Sequence, residues 1–173
     1  MLTRTSEVAN INLPAIEAHS ELYAKNSSPV TQASFHEKFS CLKSGGDRLM
    51  QELAIDNEFD RMMGLPSVVR SSLSRSSYMH GYVATPLVRI IGALNESPLS
   101  PDDTFCDIGA GLCRVPMFVR CWSGCSSYGI DFDPALLQIA QNAIRRSTLD
   151  RVTVVSSDAR TIDYDFANVF FMY

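Results

Sequence analysis

The stretch from Thr104 to Trp122 constrains the fold more than any other part of this 173-residue chain. Thr104-Phe-Cys-Asp-Ile108 reads as a short buried strand, Gly109-Ala110-Gly111 as a tight turn, and Leu112 to about Trp122 as an apolar helix. Two glycines in one turn permit backbone angles closed to other residues, and they let a ligand approach the main chain with no Cβ in the way. The pattern then repeats. Ser127 to Ile130 is a second strand ending in Asp131. Asp133-Pro134 caps and opens a helix to about Arg146, with Leu136, Leu137, Ile139, Ala140 and Ile144 on its buried side. Val152 to Val155 reads as a third strand, ending before Asp158, and Ala167 to Met172 as a fourth. Strands alternating with helices at this spacing predict an α/β domain built on a parallel sheet with right-handed crossovers.

Upstream the texture differs. Residues 1–77 read as a helical N-terminal segment and residues 78–173 as the ligand-binding domain. Leu13 to Lys25 has helical apolar spacing. Asp47 to Met63 puts Leu49, Met50, Leu53, Ala54 and Met62 on one side, and Gly64-Leu65-Pro66 supplies a stop. The Ser/Thr-rich stretches at 27–34 and 71–77 read as connections. Thr85-Pro86 predicts an N-cap followed by proline at the first helical position, with Leu87 to Leu94 continuing as an apolar helix.

Composition narrows the function. Charged residues make up 20% of the chain and the net charge is −4, which argues against a standing basic surface and against a nucleic-acid partner. No apolar run is long enough to cross a bilayer, and Met1 to Ser20 lacks the apolar core of a signal peptide. The five cysteines, at 41, 106, 113, 121 and 125, form no CxxC pair and have no His beside them to complete a zinc set. Reduced thiols in a cytoplasmic protein without a metal are the expectation.

Ligands of such sheets bind at the carboxyl ends of the strands. Three features lie there. Asp107-x-Gly109-x-Gly111 follows the first strand, and the next helix offers N–H groups to an anion. Asp131, 20 residues beyond Gly111, stands at the end of the second strand, where an acid accepts both hydroxyls of a ribose. Ser157-Asp158-Ala159 follows the third strand, placed to border an adenine ring. Taken singly these could be solvated loop acids and a turn cap; in this order on consecutive strands they point to an adenosine site. A dinucleotide fingerprint would want Gly or Ala where Arg114 stands, and Asp107 would repel a pyrophosphate. S-adenosylmethionine (SAM) has no phosphate, an ammonium that suits an acid, and a carboxylate that suits N–H groups.

Asp107-Ile-Gly-Ala-Gly111 resembles motif I of the class I SAM-dependent methyltransferases. Tyr128-Gly-Ile-Asp131-Phe-Asp-Pro134 is similar to their second-strand motif, Ser157-Asp158-Ala159-Arg160 to the motif bordering adenine, and Asn168 to Tyr173 to the strand leading into the catalytic loop. Tyr78-Met-His-Gly81-Tyr82-Val-Ala-Thr85-Pro86 resembles a segment of a bacterial branch that shares features with the non-SET histone-lysine methyltransferases, where it folds over the methionine end of SAM. The resemblance implies a Rossmann-like fold, incomplete at the C-terminus, that transfers the methyl of SAM. It places Asp107, Gly109 and Gly111 at the methionine moiety, Asp131 with Phe132 at the ribose, Asp158 and Ala159 at the adenine, and Tyr82 and Thr85 beside the methionine end. Leu112-Cys113-Arg114 departs from the Gly-Lys-Arg frequent in that branch. The family continues beyond the position of Tyr173 through a catalytic loop and three more strands, so the chain is expected to be a fragment and names no catalytic base. A lysine amine is the acceptor the likeness suggests. A non-catalytic SAM-binding module and, further off, an NAD-dependent oxidoreductase are the rivals. Val169 to Tyr173, left as an apolar edge, is expected either to self-associate or to fray.

Overall fold

The computed structural model describes Phe35, Phe39, residues 48–66 and residues 82–172. The helix expected over Leu13 to Lys25, the connections at 27–34 and 71–77, the segment from Tyr78 to Gly81, Cys41, Tyr173 and the side chains of Leu49 and Met50 lie outside the described residues.

In chain order the elements are α1 (Arg48–Met63), α2 (Leu87–Glu96), β1 (Thr104–Ile108), α3 (Arg114–Ser123), β2 (Ser126–Asp131), α4 (Pro134–Arg146), β3 (Val152–Ser156), a 3-10 turn (Ala159–Thr161) and β4 (Val169–Met172). The four strands form one parallel sheet in the order β3-β2-β1-β4. This is a Rossmann-like α/β arrangement, and its switch in strand order falls between β1 and β4. The expected parallel sheet is therefore present, with each strand within two residues of its expected bounds.

The boundaries that moved have local causes. α3 starts at Arg114 and not at Leu112 because the turn runs on: Gly109, Gly111 and Cys113 all have positive φ, of 83°, 53° and 53°. β4 starts at Val169 because Asn168 is tied sideways to the residues before and at the start of β1. Its Oδ1 accepts from Thr104 N–H at 2.8 Å, and its Nδ2 donates to Asp103 Oδ1 at 2.8 Å. α4 opens as expected, with Pro134 at its first turn and Asp133 Oδ1 accepting from Ala135 N–H.

α1 also ends as its sequence indicates. Gly64, at φ 64°, lets Leu65 N–H reach Asp60 O at 2.8 Å while Gly64 N–H reaches Arg61 O at 3.2 Å. This double bond pattern terminates the helix and seats Leu65 in the core. The apolar face of α1 is not the one expected. Leu53 is half exposed and Ala54 is exposed, whereas Ile55, Phe59 and Met63 are buried. An aromatic cluster decides this: Phe59 meets Phe118 of α3 at 5.4 Å between ring centroids, with Phe35 and Phe39 closing around both and Trp122 stacked on Phe118. The core is thus continuous from α1 through α3 to the sheet.

Candidate functional site

The first glycine turn is built against β2. Gly109 N–H and Ala110 N–H both donate to Ile130 O at 2.9 Å, and Gly111 N–H donates to Asp131 Oδ2 at 2.7 Å. The N–H groups of the turn itself are thus spent on holding it. The N–H groups of Arg114 and Val115, at the head of α3, lie outside that network. Close packing makes the turn possible: a Cβ on Gly129 would run into Cys113 Sγ and lie 3.0 Å from the Ala110 Cβ. Glycine at 129 was not singled out by sequence, although it sits inside the second-strand motif.

Asp107 is the chemically distinctive group. It is 4% exposed and lines a small open cleft together with Tyr82, Thr85, Gly109 and Arg114. Among the described residues no donor meets its carboxylate. Burial, followed by the charge of Asp131, pushes its pKa up to about 7. A buried acid with no donor, facing a cleft and repelled by a second acid, is best satisfied by a cation.

Asp131 faces the same edge from β2. Its two carboxylate oxygens accept from Gly111 N–H and from Asp133 N–H at 2.8 Å. Each oxygen retains a lone pair, so the geometry leaves two further acceptor positions. Phe132, the next residue, is 54% exposed. Asp158 follows β3 and heads the 3-10 turn, accepting from Arg160 N–H at 3.0 Å. Its carboxylate is engaged by the Arg160 guanidinium, with an Oδ2 contact of 2.5 Å, which holds its pKa down to about 2. Phe132, Asp158 and Ala159 do not line the Asp107 cleft; they stand along the adjoining edge, after β2 and β3.

Tyr82 and Thr85 do line the cleft. A Cβ on Gly111 would come within 2.5 Å of two carbons of the Tyr82 ring, so the ring covers that glycine. Burial pushes the Tyr82 phenol up to about 12, which keeps it a neutral hydrogen-bond donor at ordinary pH. Thr85 is not the N-cap of α2 that the sequence indicates. No side-chain cap bond forms there, and Leu87 N–H instead donates to Asp56 Oδ1 of α1 at 3.0 Å. The cap is supplied from another helix because Asp56 is already brought there by Arg114.

Arg114 is the residue whose placement the sequence did not reveal. Its side chain is 5% exposed. Nε donates to Asp60 Oδ1 at 2.6 Å, Nη2 to Asp56 Oδ1 at 3.1 Å and Nη1 to Thr85 O at 3.2 Å. Burial pushes Asp60 up and opposes the charge on Arg114, whereas Asp60 and then Asp56 pull Arg114 the other way. The two-acid geometry and the short Nε contact favour the ionised pair. The sequence signal was present as two acids one turn apart, Asp56 and Asp60, on a helix that otherwise packs by aromatic contacts.

Fold and site together define a Rossmann-like domain with an acidic cleft at the end of its first strand. No family model matches the chain. It is 26% identical over 122 residues to "Histone-lysine N-methyltransferase, H3 lysine-79 specific" of Dictyostelium discoideum, an overlap covering 62% of this chain and 6% of that protein. Among solved structures it is similar to an RNA methyltransferase from Salinibacter ruber in complex with S-adenosyl-L-homocysteine (27% identity, TM-score 0.49, 53% of this chain and 60% of that one). It is also similar to precorrin-6y C5,15-methyltransferase from Geobacter metallireducens (19% identity, TM-score 0.46, 57% and 52%). Among the described residues no helix is long and apolar enough to cross a membrane, and no group of three His, Cys, Asp or Glu is placed to hold a metal.

Proposed function

We propose that the chain binds SAM and serves its transfer of a methyl group, with a lysine amine of a protein as acceptor. The observation that carries this reading is Asp107: a buried carboxylate that no donor meets among the described residues, at the mouth of a two-glycine turn. The residues present fit such a cofactor. Asp107 would take its ammonium, giving up its own proton as the cation arrives. Asp131, with Phe132 beside it, would accept the ribose hydroxyls on the lone pairs its backbone donors leave open. Asp158 and Ala159 would border the adenine, and Tyr82 and Thr85 would shield the methionine end from water. When bound, SAM supplies an electrophilic methyl on a sulfonium, so the protein's part is chiefly orientation and exclusion of water. Tyr82, held as a neutral phenol, would act there as a donor and not as a base. The lysine acceptor is supported by the likeness to the Dictyostelium histone-lysine N-methyltransferase.

The acidic net charge supports a site for a small cofactor and a protein substrate over a nucleic-acid partner. Buried, free thiols at Cys106, Cys113, Cys121 and Cys125 support a cytoplasmic setting. β4 pairs with β1 along one side, and we place a second copy of the chain along the other. Calorimetry with S-adenosylhomocysteine and with NAD tests the cofactor reading. Binding of the first, undisturbed by the second, is expected; a folded protein that gives no heat with S-adenosylhomocysteine overturns it. Methyl transfer to a lysine-rich protein mixture separates an enzyme from a module that only binds.

A further inference from the structure

We infer that Arg114 is a positioning residue that makes α1 part of the cofactor site, by clamping the Tyr82–Leu87 segment over the first glycine turn. Three separate pieces of chain meet on one guanidinium. Asp60 and Asp56 come from α1, the Thr85 carbonyl from the covering segment, and Arg114 itself opens α3 directly after the turn. Asp56 adds a second tie, because the same Oδ1 that meets Arg114 accepts the first N–H of α2. These anchors fix the chain three and five residues beyond Tyr82, whose ring lies over Gly111, so loosening the buried ion pair frees the segment that carries that ring. Tyr82, Thr85 and Arg114 line the Asp107 cleft, which Asp131, Phe132 and Asp158 do not line. Loosening the clamp should therefore affect recognition of a ligand's amino-acid end and leave recognition of its nucleoside end alone.

This inference rests on the SAM reading, and the test keeps the two apart. Two probes are used: S-adenosylhomocysteine, which carries the amino-acid end, and 5′-methylthioadenosine, which lacks it. Arg114→Lys retains the buried charge but lacks the planar fork that reaches two carboxylates and a carbonyl at once. Asp60→Asn is the second variant, because it leaves Arg114 paired with Asp56 if the lysine variant does not fold. The expected result is a loss of tenfold or more for S-adenosylhomocysteine and less than threefold for methylthioadenosine. Hydrogen exchange at the Leu87 amide should be faster, with the β1 and β2 amides unchanged. Equal losses for both probes, or no loss for either, overturn the positioning role while leaving the cofactor reading intact. Wild-type protein that binds neither probe overturns both.

Discussion

Asp107 couples the site to pH, and the sign follows from its burial. Its carboxyl stays protonated in the folded protein up to about 7, whereas in the unfolded chain it ionises near 3.8. The folded state therefore holds more protons than the unfolded state between those values, so this residue lowers stability as pH rises through that window and no further above it. A cation bound there reverses the preference. Affinity for S-adenosylhomocysteine should rise with pH up to about 7 and then level off, with release of a proton measurable by calorimetry in buffers of different ionisation heat. Asp107→Asn should flatten both profiles; a variant whose binding still climbs with pH would show that another group titrates. Asp131 permits a simpler comparison. Charge-assisted hydrogen bonds contribute about 1.5–3 kcal/mol each, so Asp131→Ala should weaken binding by roughly 10- to 100-fold for each ribose bond lost. Asp163→Ala, in an exposed loop where the carboxylate accepts from Asp165 N–H, should leave affinity unchanged. Equal affinities in the two variants would remove Asp131 from the site. These acids were legible because each falls at the carboxyl end of a strand. What the sequence concealed was the engagement of the turn's own N–H groups by Ile130 O and Asp131, since main-chain pairing depends on how closely two strand ends approach.

Among the elements, α1 was the hardest to orient. Its leucines suggested a face at Leu49 and Leu53, but Ile55, Phe59 and Met63 form a second stripe at the same spacing, and local periodicity does not choose between them. The choice is made by Phe118 and Trp122 of α3, far along the chain. The sheet strands and α4 were legible for the opposite reason, since their signals, an apolar run, a turn and an Asp-Pro cap, are local. Phe59 is fully buried against the rings of Phe35, Phe39 and Phe118, so Phe59→Ala should cost about 3–5 kcal/mol. Leu53→Ala, at a half-exposed position, should cost far less, within roughly 1 kcal/mol. Urea unfolding of the two variants checks this, and comparable losses would mean that the face of α1 is wrongly assigned. The cap of α2 was misplaced for a related reason: a donor–acceptor pair 31 residues apart cannot be read from Thr85-Pro86 alone.

At the scale of the molecule, the sheet is covered unevenly. Val169 and Phe171 pack toward the core, while Phe170 and Met172 are 50% and 76% exposed and continue an aromatic strip through Tyr164, Phe166 and Tyr128. Among the described residues β4 pairs along one edge only, and a strand with such an edge and an apolar outer face pairs readily with another strand. Light scattering should show association that grows with concentration, and amide exchange along β4 should slow in step with it. Phe170→Lys, which places a charge on that edge, should restore the monomer; a wild-type monomer with β4 already protected at low concentration would refute the second copy. Long range also governs when the binding site matures. Arg114 lies 54 residues from Asp60 and 58 from Asp56. Contacts that close loops of this length form after local helices and turns, because chain entropy is lost before the contact returns anything. During synthesis α1 emerges first and has no partner for its two acids until the glycine turn and α3 have followed. The cleft over Asp107 is thus completed late in folding, and a refolding chain should regain its helices before it regains the ability to hold a ligand.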